Sequence, residues 1–201
     1  AVTKATVGKP AFMKAGYEAQ LKSIVLLKNA KNVLPVIGKK TVYVPKRFVP
    51  ASRNFLGMQT PASTDYPVNM EIVKKYFNVT DDADRADMAL VFIQNPTATI
   101  GYDSADIKNG GNGYIPISLQ YEDYTATDAR ETSIAGGDPL ETFTNRSYKN
   151  KTAKTSNNAD RVLVTETKLK MKDKPVIVLV NTTNPMIFSE IEKDAAAIMV
   201  S

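Results

Sequence analysis

The chain has 201 residues, 43% of them apolar, and carries 26 basic against 21 acidic side chains for a net charge of +5. That length and apolar share suit one domain with a sizeable core. With no Lys/Arg block and no Arg-aromatic interleaving, the basic excess reads as solvated surface rather than a nucleic-acid interface. There is no Cys and no His, which excludes disulfides, thiolate chemistry and imidazole bases or zinc ligands. Any chemistry falls to carboxylates, Lys, Tyr or hydroxyls.

No stretch approaches the roughly 18 consecutive apolar residues of a membrane span. No signal peptide opens the chain and Ala1 is not an initiator Met, so a cut or processed N-terminus is expected. Residues 1–9 are small and polar and read as a linker. Pro10 to Lys28 reads as a helix, with Tyr17, Leu21, Ile24, Val25 and Lys28 at helical spacing. The Ile24–Leu27 run fits equally a short strand pairing with Val33–Leu34, and periodicity leaves both open. Thr41–Val44 is the first expected main strand. Four prolines between Pro45 and Pro67 predict irregular surface. Asn69 or a neighbour caps a helix carrying Met70, Val73 and Phe77, and Val79 seeds a short strand. The acidic run Asp81–Asp87 lacks the Gly and distal Glu of a calcium loop, so it reads as a helix cap and a solvated half-helix.

Met88–Ile93 is the second main strand. From Gln94 to about Ser156 regular signal is sparse, with Asn109-Gly-Gly-Asn-Gly113 and Gly136-Gly137 interleaved with aromatics. The glycine run lacks the Gly-Lys-Ser/Thr ending of a phosphate loop. A long irregular segment in a compact domain is functional or disordered, and the aromatics favour function. Ile117–Glu122 reads as a helix start capped by Ser118. Asn157 or Asn158 caps a helix to about Met171, with Val162, Thr165 and Leu169 along one side. Strands near 176–180 and 196–200 follow, separated by a short helix, Met186–Lys193, begun by Pro185. The apolar run Ala195–Val200 closes the chain, from which we expect a piece of a longer polypeptide. Buried runs alternating with helices predict an α/β, three-layer sandwich with a mostly parallel, flavodoxin-like sheet.

Three stretches carry a family resemblance. They are Ser23-Ile-Val-Leu-Leu-Lys-Asn29 followed by Leu34-Pro35; Ala86-Asp-Met-Ala-Leu-Val91; and Pro175-Val-Ile-Val-Leu-Val180 with Asn184-Pro185 and Ala197-Ile-Met-Val200. Together the chain resembles the C-terminal α/β sandwich domain of family 3 glycoside hydrolases, the β-glucosidase and β-xylosidase type enzymes. The resemblance implies that residues 10–201 are that domain, truncated at its C-terminal end. It implies a β-glycosidase acting on glycosides or oligosaccharides without cofactor or metal, periplasmic or secreted in a bacterium. A preceding (β/α)8 barrel, absent from these residues, supplies the Asp nucleophile in such enzymes. The sandwich domain often carries the acid/base Glu on the long loop after its second main strand.

Retaining glycosidases need two carboxylates about 5 Å apart, one attacking and one protonating the leaving oxygen. Glu122, where the family carries its Leu-Pro-x-x-Gln helix, is the first candidate for the acid. Asp103 in Gly101-Tyr-Asp103 resembles an element near the sugar site that an Arg follows in relatives; Ser104 stands there here. Asp123, Asp128 and Glu131 are reserves. Tyr102, Tyr114 and Tyr121 are candidates to stack on a sugar or, as the plainer reading, to pin the loop to the domain. Glu122 has a plain reading too, a solvated first-turn carboxylate. A separate alternative is a non-catalytic carbohydrate- or nucleotide-binding module.

Overall fold

A computed structural model describes residues 3, 6–53, 58–98, 103–111, 113–131 and 147–201. The expected linker, 1–9, lies partly outside these residues. Six strands form the main sheet: β1 (Val25–Asn29), β2 (Thr41–Tyr43), β3 (Asn78–Thr80), β4 (Met88–Gln94), β5 (Val176–Asn181) and β6 (Ala197–Val200), in the order β1-β6-β5-β4-β2-β3. Every neighbouring pair is parallel except β1, which runs antiparallel to β6 with Val25 opposite Val200. With β1 set aside, the order is that of flavodoxin-like folds.

Among the described residues the helices that bear on the fold are α1 (Pro10–Ser23), α2 (Met70–Tyr76), α3 (Ser104–Lys108), α4 (Asn158–Met171) and α5 (Ser189–Glu192). Alternation along the strands builds two cores. Ala89, Val91 and Ile93 with Val176, Val178 and Val180 meet Val164 and Met171 of α4 and Ile191 of α5 on one face. Met88, Leu90 and Ile177 meet Val73 of α2 on the other. Strands buried on both faces must be apolar at every position, which is why these read as continuous runs. Full burial of each such side chain contributes roughly 1.5–3 kcal/mol. The expected three layers are present.

Several local readings are corrected. The helix from Pro10 stops at Ser23, and the following apolar run is a strand on the sheet edge. It pairs with β6 and not with Val33–Leu34. Instead, the Asn29 side chain donates to Leu34 O (2.9 Å) and accepts from Leu34 N–H (3.0 Å), closing the turn of the Lys28-Asn29…Leu34-Pro35 motif. The proline-rich stretch after β2 is more ordered than expected, with antiparallel ladders Arg47–Val49 on Ser63–Asp65 and Ser52–Arg53 on Gln59–Thr60. The helix expected from Met186 is only α5, because Ile187 N–H is taken by Leu119 O (2.8 Å). The side of α4 bearing Val162 and Leu169 faces water, whereas Asp160, Val164, Thr167 and Met171 face inward. As expected, Asn69 caps α2 by accepting from Glu71 N–H (2.9 Å), and Asp82 caps a single 3-10 turn, Ala83–Arg85. Among the described residues no helix is long and apolar enough to cross a membrane.

Candidate functional site

In open parallel sheets, loops leaving the carboxyl ends of strands form the ligand face, above all where strand order reverses. Here that reversal lies between β2 and β4. The chain leaves β2 and within a few residues places Arg47 there; β4 ends on Gln94, with Asn95 next; Asn157 precedes α4, whose first turn carries Asp160 and Arg161.

Asp160 is fully buried. Its Oδ1 accepts from Arg47 Nε (2.7 Å), and its Oδ2 accepts from Arg47 Nη2 (2.8 Å), Gln94 N–H (3.1 Å) and Asn157 Nδ2 (3.0 Å). A buried carboxylate with four donors and a two-pronged guanidinium partner is a stable arrangement where an unpaired one is costly. Arg47 Nη2 also donates to Gln94 Oε1 (3.1 Å). Asn157 stands at the N-cap position of α4 without capping it, because its amide serves the site. It accepts from Thr97 N–H (2.8 Å) and donates to Asn95 O (3.0 Å). Asn95 in turn accepts from Thr183 N–H (3.0 Å), tying the loops after β4 and β5 together.

Onto this frame the long loop docks through residues 119–122. No helix forms here, contrary to the Ser118 reading: Ser118 Oγ accepts from Gln120 N–H (3.2 Å) and donates to Gln120 O (2.7 Å), a local side-chain turn that competes with helix. Tyr121 is 1% exposed, and its hydroxyl donates to Gln94 O. Burial, then the nearby Asp160 charge, pushes its pKa well above that of a free phenol. Its ring therefore belongs to the core and has no face open to a sugar in this domain. Thr155 Oγ1 donates to Tyr121 O. The carboxylate of Glu190, on α5, accepts the Tyr121 and Glu122 N–H groups at 2.6 and 2.9 Å.

Glu122 is thus an exposed side chain on an anchored backbone, with Oε1 3.1 Å from Arg161 Nη2. Asp103 is half-buried and caps α3, accepting from Ala105 N–H (2.8 Å). Tyr114 is half-buried, next to Gly113, whose carbonyl accepts from Asp103 N–H (2.8 Å). Tyr102 lies outside the described residues. Asp123 pairs with Lys154 (3.6 Å) and Glu131 with Lys149 (2.8 Å), while Asp128 is exposed. The glycine run has a structural role. Gly111 and Gly113 donate to Asp106, whose carboxylate pairs with Lys151, and a Cβ at Gly111 would collide with that carboxylate. No group of three or more metal-ligating side chains occurs among the described residues. A pocket of about 370 Å³ opens at the same sheet edge, lined by Arg47, Gln94 and Asn181 together with Phe92, Leu179 and Met199.

The structure brings Glu122 together with Arg47, Asp160, Arg161 and Glu190 at one edge. None of the latter four stood out in the sequence. The signal for Asp160 was its place at the head of the Val164, Thr167, Met171 stripe.

No family model matches this chain, and no curated protein sequence matches it. Solved structures with a similar chain path include a β-glucosidase from Listeria innocua in complex with isofagomine, at 11% identity and TM-score 0.49, with 96% of this chain and 23% of that one covered. A GH3 β-glucosidase from Bifidobacterium adolescentis is similar at 13% identity and TM-score 0.49, over 94% of this chain and 24% of that one. The β-glucosidase D2-BGL from Chaetomella raphigera is similar at 17% identity and TM-score 0.48, over 95% and 26%. The chain therefore spans about a quarter of the length of each.

Proposed function

We propose that this chain is the α/β sandwich domain of a family 3-type β-glycosidase, working with a (β/α)8 barrel on the same polypeptide, and that its long loop supplies the acid/base group, Glu122. The three family-like stretches support the first part. The observation that carries the second is the anchoring of residues 119–122, which presents one exposed carboxylate at the carboxyl edge of the sheet. Asp103 is the reserve, although its carboxylate is committed to capping α3.

In this reading a barrel carboxylate bonds to the anomeric carbon as Glu122 gives its proton to the departing glycosidic oxygen. Glu122, now a carboxylate, then takes a proton from the water that releases the sugar. The face carrying the loop meets the barrel. Helix α1 fits the same picture: it has no buried residue, and Met13, Tyr17 and Leu21 form an exposed apolar stripe along it that a neighbouring domain would cover.

The test is hydrolysis of an aryl β-glucoside and of a β-linked disaccharide. The whole polypeptide is expected to cleave both. The purified 201-residue chain is expected to cleave neither, since it lacks the nucleophile. Cleavage by the chain alone would refute the division of labour.

A further inference from the structure

We propose that Glu190 and Arg161 form a positioning clamp for Glu122; the proposal rests on the reading of Glu122 as the acid/base residue. Neither side chain belongs to the loop it holds. Glu190 sits on α5 next to Ile191, which is fully buried and fixes the helix in the core. From that platform one carboxylate accepts two successive backbone N–H groups, Tyr121 through Oε2 (2.6 Å) and Glu122 through Oε1 (2.9 Å). Such charge-assisted bonds are the stronger kind, and two from one carboxylate fix both the position and the rotation of the peptide between those residues. Arg161, in the first turn of α4, takes the other end, with Nη2 3.1 Å from Glu122 Oε1.

Backbone and side chain of one residue are therefore gripped by two different helices packed on the same face of the sheet. Among the described loop residues, Asp106 is also held closely, by Lys151 and the Gly113 N–H, but it is half-buried. The exposed carboxylates other than Glu122 are held less closely: Asp123 meets Lys154 at 3.6 Å with both side chains mostly exposed, and Glu131 meets Lys149 at an exposed site. A loop serving only to cover the sheet would need the buried Tyr121 ring. It would not need a grip on the neighbouring exposed carboxylate. The clamp ties that carboxyl group, though carried on a loop, to two helices, which fixes its place opposite a second domain.

The experiment compares the whole protein with its Glu190→Gln and Arg161→Gln variants. A Gln at 190 keeps one acceptor oxygen and turns its NH2 toward the other N–H. Amide hydrogen exchange at Tyr121 and Glu122 is expected to quicken at least about tenfold in Glu190→Gln and to stay unchanged in Arg161→Gln. Both variants are expected to lose about ten- to a hundredfold in kcat on a disaccharide, with KM little changed. The first step with an activated aryl glycoside, whose leaving group needs no proton, should be spared in both. A wild-type disaccharide kcat in both variants overturns the clamp, as does an equal loss on the disaccharide and in the aryl first step. Faster exchange with an unchanged rate reduces Glu190 to loop anchoring and also overturns it. If Glu190→Gln does not fold, the Arg161→Gln rates decide alone. A Glu122→Ala enzyme with wild-type disaccharide turnover would instead sink the underlying reading of Glu122.

Discussion

Arg47 and Asp160 are 113 residues apart in sequence, yet they meet in a two-pronged ion pair, at 2.7 and 2.8 Å, in the crevice where the strand order reverses. In flavodoxin-like sheets that crevice is the usual seat of a ligand. Here Arg47 Nε and Nη2 are both engaged, and the Asp160 side chain is 1% exposed. Those donors are thus taken up by Asp160 and Gln94 rather than offered to a ligand, which weighs against the binding-module reading.

Breaking this pair should be costly. Asp160→Ala leaves Arg47 without its carboxylate and strips a partner from Gln94 N–H and Asn157, so unfolding free energy should fall by about 3–5 kcal/mol. Urea denaturation measures it. The double variant Arg47→Met/Asp160→Leu should recover part of the loss, because two apolar side chains leave no buried charge, while Gln94 N–H and Asn157 still lack that acceptor. A loss in the double variant as large as in Asp160→Ala would contradict this.

Tyr121 gives a pH signature. Its folded pKa is raised by burial, then by Asp160. The neutral phenol is thus favoured in the folded state, and the stability this contributes is fully present below the ordinary tyrosine value of about 10. Above that pH the unfolded chain ionises first and stability is lost. Wild type should therefore lose stability between about pH 9.5 and 11.5 more steeply than Tyr121→Phe. At pH 7 that variant should be weaker by about 1 kcal/mol, for the lost bond to Gln94 O. Parallel stability curves for the two proteins across the alkaline range would contradict the account.

The two sides of α4 and its neighbour α5 make a packing test. Ile191 is fully buried, and Ile191→Ala should cost about 2–5 kcal/mol. Leu169 is 73% exposed, and Leu169→Ala should change stability by no more than about 0.5 kcal/mol. Thermal unfolding of both variants checks that Ile191 sits in the core and that Leu169 lies on the water-facing side of α4.

The strands were legible because a parallel strand buried on both faces is apolar at each position, as Val176–Val180 and Met88–Ile93 are. The end of α1 was not. Ile24–Leu27 suits helix or strand locally, and the choice falls to β6, more than 160 residues away, whose edge β1 completes. The inward side of α4 was equally hidden. Val162 and Leu169 outscore Asp160 as core residues until Arg47 is seen to neutralise Asp160. Resemblance singled out the loop carboxylate Glu122 as a candidate, but not its setting. Glu190 holds backbone N–H groups 68 and 69 residues away, and a contact to main chain leaves no complementary side chain to read.

The most direct test of the central claim is leaving-group dependence in Glu122→Ala, made in the whole polypeptide. Loss of a general acid typically costs about 10²–10⁴-fold where the leaving group needs a proton. Disaccharide turnover should fall by that factor, while the first step with an activated aryl glycoside keeps its rate. Added azide, which needs no general base, should restore aryl glycoside turnover. Wild-type disaccharide turnover in Glu122→Ala would contradict the account and move the acid/base role to Asp103 or Asp123.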